Sequence, residues 1–533
     1  MIKSCKSLLM AALAAAVVAA SGIHATAQQH GGMLRITTAP EPTILSNALS
    51  SVPSTNEIGT KIFEGLLEYD KDFNPQPSLA ESWVVSDDGL SVTFDLRKGV
   101  VWHDGKPFTS ADVHFSLTDL IKNYHPQGKG NLGAVVDVET PDEHTAIVKL
   151  AHPSVPFMRA LSSLSIPIVA KHVYEGTDYR NNPTNVAPIG TGPFKFAEWV
   201  KGSHVRLEKN ENYWREGRPY LDGMIFRFIP DSATRSAALE SGEIDVATFG
   251  TINPVEMRRL ESLDHLSIAA GGYEAIAPLM LLEVNGTRAP LDNKNFRLGL
   301  AYAIDREMIT KNVWFGFGKP AVGPITSFLE RTGAFTREGV RDFTVSDRLE
   351  IAAKLFDEAG YPLKDGSRAK LTLDVVPYGE DWRRMGEVIR QQLARVGIEI
   401  ELRTGDNATF MRQVYNENDY DLAMMWYLGM SDPTIGVQRN YWSKNINPGV
   451  PFGNVSRYSN PEVDALWEKA QVEADDSKRN EYFHELQRKI VDDSPLIWIM
   501  EKDLVAVQNN RVRDLITDPY GVRGGLYGAW IEQ

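Results

Sequence analysis

Apolar positions along the chain recur at two periods, and both appear in close succession between Glu81 and Ser116. Val92, Phe94 and Leu96 alternate with Thr93 and Asp95 in the two-residue rhythm of a half-buried strand. Asp88-Gly89 before them supplies the backbone freedom of a tight hairpin. Asp104-Gly105 predicts a second turn, and Thr109 with Asp112 forms a capping box opening a helix through Val113, Phe115 and Leu117.

The clearest helical rhythm begins at Ser346, the predicted cap, and runs through Leu349, Ala352, Ala353, Leu355 and Phe356 until Gly360 stops it. A strand over 371–376 follows. Trp382, Met385, Val388, Ile389, Leu393 and Val396 then mark one face of a helix ended by Gly397, and Ile398 to Leu402 alternates as a strand. A helix around Thr409 to Tyr415 leads into an apolar strand from Tyr420 to Trp426. Two successive strand-helix-strand crossovers predict parallel strands with covered faces. Elsewhere, Ser232 to Ser241 reads as a helix closed by Gly242, Ile244 to Ala247 as a strand, and Pro461 after Asn460 as a helix start. Ala277 to Asn285 and Leu496 to Met500 read as apolar strands passing between two lobes, which places the hinge on them. The fold class is mixed α/β.

Length adds scale to this pattern: 533 residues make about three to four domain-sized units. At 43% hydrophobic and 24% charged, the composition is that of an ordinary globular protein. The beginning differs. Lys3 and Lys6 precede an apolar run from Leu8 to Ala20, and Ala25-Thr26-Ala27 offers a small-residue cleavage site, so 1–27 is expected to be a cleaved secretory signal. The run is shorter than the roughly 20 residues of a membrane span. Cys5 is the only cysteine and lies inside that signal, which leaves the mature chain without disulfides, thiolate metal sites or a cysteine nucleophile. A net charge of −14 with no basic block argues against a nucleic-acid partner.

Beyond the 81–116 stretch, short motifs recur in a characteristic order. They include Phe63-Glu-Gly-Leu-Leu67, Gly190-Thr-Gly-Pro-Phe194, Asn212-Tyr-Trp214, Ala238 to Asp245, Asn295 to Asp305, Tyr420-Asp-Leu422, Tyr458-Ser-Asn-Pro461 and Asp493-Ser-Pro495. Together they resemble the family 5 extracellular solute-binding proteins, the peptide, nickel and opine receptors of bacterial ABC importers. The resemblance implies a type II periplasmic binding fold: two lobes joined by a two-strand hinge, with a domain inserted in the first lobe. Carried onto this chain, lobe I is 28–66, 190–280 and 503–533, the inserted domain 67–189, and lobe II 281–502. It also implies a periplasmic monomer that delivers a peptide or peptide-like solute to inner-membrane permease subunits driven by cytoplasmic ATPase subunits. No cofactor or metal is implied.

The same resemblance nominates a binding site. In peptide-binding relatives the ligand backbone pairs with a segment similar to Ser51-Val52-Pro53. Those relatives also carry an aspartate, three residues beyond the position of Trp426, that holds the ligand's α-ammonium group. Here that position is Gly429, so either Asp432 or another acid substitutes, or the solute presents no free amine there, because an unpaired buried ammonium is strongly unfavourable. That departure keeps opines, oligosaccharides and other amine-poor solutes open as alternative ligands. Trp382, Tyr415, Trp426, Tyr427, Tyr441, Trp442 and Trp498 are candidate walls of the site, with core packing as the competing account; Trp426 alone matches a cleft-facing family position. Arg383 and Arg384 are candidate anchors for a ligand carboxylate or phosphate, against the plainer account of an exposed helix start.

Enzyme patterns are incomplete. His484-Glu485 lacks a second histidine four residues on, where Arg488 stands. Gly429 to Pro433 ends a nucleophile-elbow pattern with proline, and Gly190-Thr-Gly192 lacks the third glycine of a dinucleotide loop. There is no phosphate-binding GxxxxGK[ST] motif. An extracytoplasmic hydrolase remains the alternative from another functional class.

Overall fold

The computed structural model describes residues 28–533, so the expected signal segment 1–27 lies outside the described residues. Three sheets organise the chain. A seven-stranded sheet runs Leu266–Ala269, Ala506–Asn509, Val246–Ala247, Met33–Thr37, Gly223–Arg227, His204–Lys209 and Phe194–Val200 in spatial order. Met33–Thr37 is parallel to both of its neighbours, while the outer strands are antiparallel. These strands come from three separated stretches of chain, which together form the first lobe.

The second lobe is built on a six-stranded sheet in the order Gly318–Pro320, Ile497–Lys502, Pro278–Val284, Leu422–Leu428, Ala369–Val375 and Ile398–Thr404. The last three strands are parallel, as the two crossovers predict. Between the lobes in sequence, Ala80–Val85, Ser91–Leu96, Thr145–Leu150 and Val135–Asp142 form a four-stranded antiparallel sheet, the body of the inserted domain.

Local rules account for most of these elements. The hairpin turn at Asp88 has its carboxylate accepting the Leu90 N–H at 2.9 Å, and Gly89 takes φ +69°. Val92, Phe94 and Leu96 are buried while Asp95 is exposed. The Asp112 carboxylate accepts the Thr109 N–H at 2.9 Å, and the helix that opens there widens into a π turn over Phe115–Leu120. The later helix starts at Arg348 because Asp347, rather than Ser346, supplies the carbonyl that accepts its first N–H groups. The Thr409 helix begins at Asn407, with the Asp406 carboxylate accepting the Thr409 N–H at 2.7 Å. Gly190 is a packing device: a Cβ there would sit 1.9 Å from the Ile62 carbonyl oxygen.

The hinge lies elsewhere than expected. Pro278–Val284 and Ile497–Lys502 pair with each other antiparallel inside the six-stranded sheet, so neither passes between lobes. The chain crosses in the short segments beside them, 270–277 and 503–505. A strand buried on both faces is uniformly apolar wherever it sits, so the pattern alone did not separate a crossing from a central strand.

Candidate ligand-binding crevice

Both crossings leave at the carboxyl ends of the parallel strands. Pro278 opposes Leu428 at the end of one such strand, and Ala506 opposes Ala269 beyond the end of Val246–Ala247. The carboxyl ends of both sheets' parallel strands therefore lie beside the crossings, and the space between them is the candidate crevice, where open α/β sheets hold ligands. Loops after these strands form its walls.

On the first lobe, the loop after Met33–Thr37 carries Ser51 and Val52, both exposed. Val52 caps the helix Pro53–Gly59; its carbonyl accepts the Asn56 N–H at 3.0 Å and its N–H donates to Ser50 Oγ at 3.2 Å. After Val246–Ala247, the Phe249 ring packs edge-on to Tyr273 on the crossing, 5.4 Å between centroids, with the Arg523 guanidinium 4.5 Å above it.

On the second lobe, Trp382 packs edge-on between Trp314 and Tyr378, with ring centroids 6.0 and 5.7 Å away. Tyr378 is exposed, so this group reaches the surface through it. The Lys502 ammonium lies 4.5 Å from the Trp314 ring, and burial, opposed by Asp381, lowers it to about 8. Met424, Trp426 and Leu428 share one face of their strand, and Trp426 is half-buried there. The opposite face carries Tyr427, whose hydroxyl donates to the buried carboxylate of Glu283; burial pushes Glu283 up to about 8. Tyr415 is buried against Phe452, and its hydroxyl has no partner among the described residues.

Two readings from the sequence change. Trp498 is fully buried and donates its indole N–H to Tyr441 Oη at 2.8 Å, so both belong to the sheet core. Asp432 is not a spare acid for a ligand amine. It caps the helix Pro433–Gly436 and receives both arms of the buried Arg479 guanidinium, one at 2.8 Å. Burial alone raises Asp432, but the Arg479 charge holds its carboxyl below the usual range.

Gly429 is fixed just as closely. Its N–H donates to the Ala277 carbonyl at 2.9 Å and Met430 N–H to Ile276 at 3.2 Å, which pins this loop to the crossing. A Cβ at 429 would press at 3.2 Å on both the Ala277 methyl and carbonyl, and one at Gly436 would meet the Gly429 carbonyl at 2.1 Å.

Beyond this loop, Trp442 helps line a cavity of about 540 Å³ between the inserted domain and the second lobe. Ion pairs Arg331 to Asp72, exposed and at 3.5 Å, and Arg159 to Asp476, half-buried and at 3.6 Å, also bridge towards that lobe. Arg383 and Arg384 are exposed at their helix start. The cavity includes Gln438 and Arg439, which sequence reading missed. They sit in a single 3-10 turn, Gln438–Asn440, too short to carry a period that would expose their direction. The available signal was a lone arginine in a stretch, Gly429 to Tyr441, whose only acid is Asp432.

Sequence comparison decides the family. The pattern describing "Bacterial extracellular solute-binding proteins, family 5 Middle" matches residues 74–448. This chain belongs to that family. Family 5 relatives include the oligopeptide-binding protein AppA of Bacillus subtilis, 28% identical over 88% of this chain and 86% of its own. Among solved family structures, the ABC transporter substrate-binding protein CtaP of Listeria monocytogenes superposes with TM-score 0.82 at 27% identity, covering 95% of this chain and all of that one. AgaA of A. tumefaciens R10, solved with agropinic acid, gives TM-score 0.75 at 26% identity over 94% of this chain and 99% of that one. Among the described residues there is no cluster of three histidine, cysteine, aspartate or glutamate side chains fit for a metal, and no helix long and apolar enough to cross a membrane.

Proposed function

We propose that this protein captures a peptide-like solute in the crevice between its lobes and delivers it, as a periplasmic monomer freed of residues 1–27, to the permease of an ABC importer. The observation that carries this is the meeting of two sheets' carboxyl ends across a crevice spanned by only two short crossings. A ligand touching both walls favours the closed arrangement by its differential contacts alone. Membership of family 5 and the peptide-binding names of relatives such as AppA support the same reading. The site comprises Ser51 and Val52 on the first lobe and Trp382, Trp426, Gly429 and Trp442 on the second.

The Gly429 loop favours a second reading within the same function: the solute carries no free α-ammonium at this end. Asp432 is committed to Arg479, and Gly429 turns its missing side chain towards Ala277. Calorimetric titration with matched peptides, free and N-acetylated, tests this. We expect the acetylated forms to bind at least as tightly; a strong requirement for the free amine would restore an ordinary peptide receptor with an acid elsewhere.

A further inference from the structure

We infer that the cavity between the inserted domain and the second lobe receives the carboxylate of an acidic, peptide-like solute, with Arg439 as its counter-charge. The inference deepens the crevice reading above and rests on it.

The cavity, about 540 Å³, is lined by Pro126 to Ala134 and His152 to Pro156 on one side and by Thr434 to Asn445 with Gln471 on the other. No aspartate or glutamate lines it, although the chain carries 70 acidic residues against 56 lysines and arginines. Its unsatisfied groups are all donors. Trp442 Nε1, Arg439 Nε and Gln438 Nε2 are buried atoms without a partner among the described residues. Gln438 Oε1 accepts Gln471 Nε2 at 2.9 Å, which leaves the Gln438 amide N–H groups free. Gln438 itself is 3% exposed.

Arg439 is the centre of the group. Among the described residues its guanidinium makes no ion pair, and its one charge-related contact is the Tyr427 ring, 5.8 Å from the guanidinium carbon. Burial lowers its pKa, with no carboxylate among the influences that oppose it. Two buried acids near it are engaged elsewhere, Asp432 with Arg479 and Glu283 with Tyr427. Arginine stays charged in proteins, so a largely buried one without a counter-ion is unfavourable until an anion arrives. A carboxylate answers both needs at once, since its two oxygens offer about four lone pairs to convergent N–H groups. In an acidic protein, an acid-free pocket with one arginine is also where the local field admits an anion.

The test uses the mature protein, 28–533, with N-acetyl dipeptides prepared as free acids and as C-terminal amides, titrated calorimetrically. Wild-type protein is expected to bind the acids at least about thirtyfold more tightly than the amides, the scale of truncating one partner of a buried charge pair. Arg439→Gln is expected to lose that preference, Arg439→Lys to keep part of it, and both to melt as the wild type does without ligand. Amides binding as tightly as acids, or an undiminished preference in Arg439→Gln, overturns the inference and leaves the crevice reading standing. Binding of neither form overturns the peptide reading, and the inference falls with it. The acid-to-amide ratio of the wild type and of Arg439→Lys decides the matter should Arg439→Gln fail to fold.

Discussion

Glu283 shows how a single side chain can be neutral by design of its surroundings. It is 1% exposed, receives the Tyr427 hydroxyl, and faces no cation, so burial holds its proton up to about 8 from an ordinary 4.5. The contribution is complete below pH 4.5 and is lost as pH rises through about 8. Glu283→Gln keeps the shape without the ionisation. It is expected to match wild-type stability near pH 5 and exceed it by about 4 kcal/mol at pH 8.5 in urea unfolding; parallel pH profiles would contradict this. Trp426, half-buried on the opposite face, is the residue proposed to meet the solute. Trp426→Ala is expected to leave far-UV circular dichroism unchanged and weaken solute binding by at least about tenfold; unchanged affinity removes it from the site. At this scale sequence and structure diverge most. Trp426 and Gly429 are proposed from family positions alone, whereas the settings of Trp498, Asp432 and Arg439 depend on partners 40 or more residues away or on none at all.

At the scale of elements, the loop from Gly429 to Gly436 joins a central strand to the cavity wall. It is held by backbone bonds to Ala277 and Ile276 at one end and by the Asp432 and Arg479 pair at the other. Asp432→Ala strips a helix cap and strands a buried guanidinium, so it is expected to cost about 3–5 kcal/mol and weaken solute binding together with stability. An Asp432→Ala protein that unfolds at the wild-type urea midpoint would show that the pair contributes nothing net. Elements with a clean period were legible, among them the helix at 380–394 and its flanking strands, because one apolar face against a sheet leaves its rhythm in the sequence. The stretch between 429 and 460 was not, because side-chain to backbone bonds hold it instead. Asn454 Nδ2, for example, donates to the carbonyls of Trp442, at 3.1 Å, and Tyr458, at 2.7 Å.

At the scale of the whole molecule, two large sheets joined by two short crossings, with the inserted domain's sheet beside them, make the frame on which the proposed capture and closure depend. The α/β class, the parallel core of the second lobe and the family were all readable, since they rest on periodicity and motif order spread over hundreds of residues. The position of the hinge was not, because it depends on which strands pair with which. The central claim is that the crevice holds a solute reversibly and unchanged. Native mass spectrometry of the protein purified from periplasm tests it most directly. The account predicts an added mass matching a small, acidic, peptide-like molecule that departs intact on denaturation. A protein that carries nothing and gains nothing from peptide mixtures, or that releases cleaved fragments of what it was given, would contradict it.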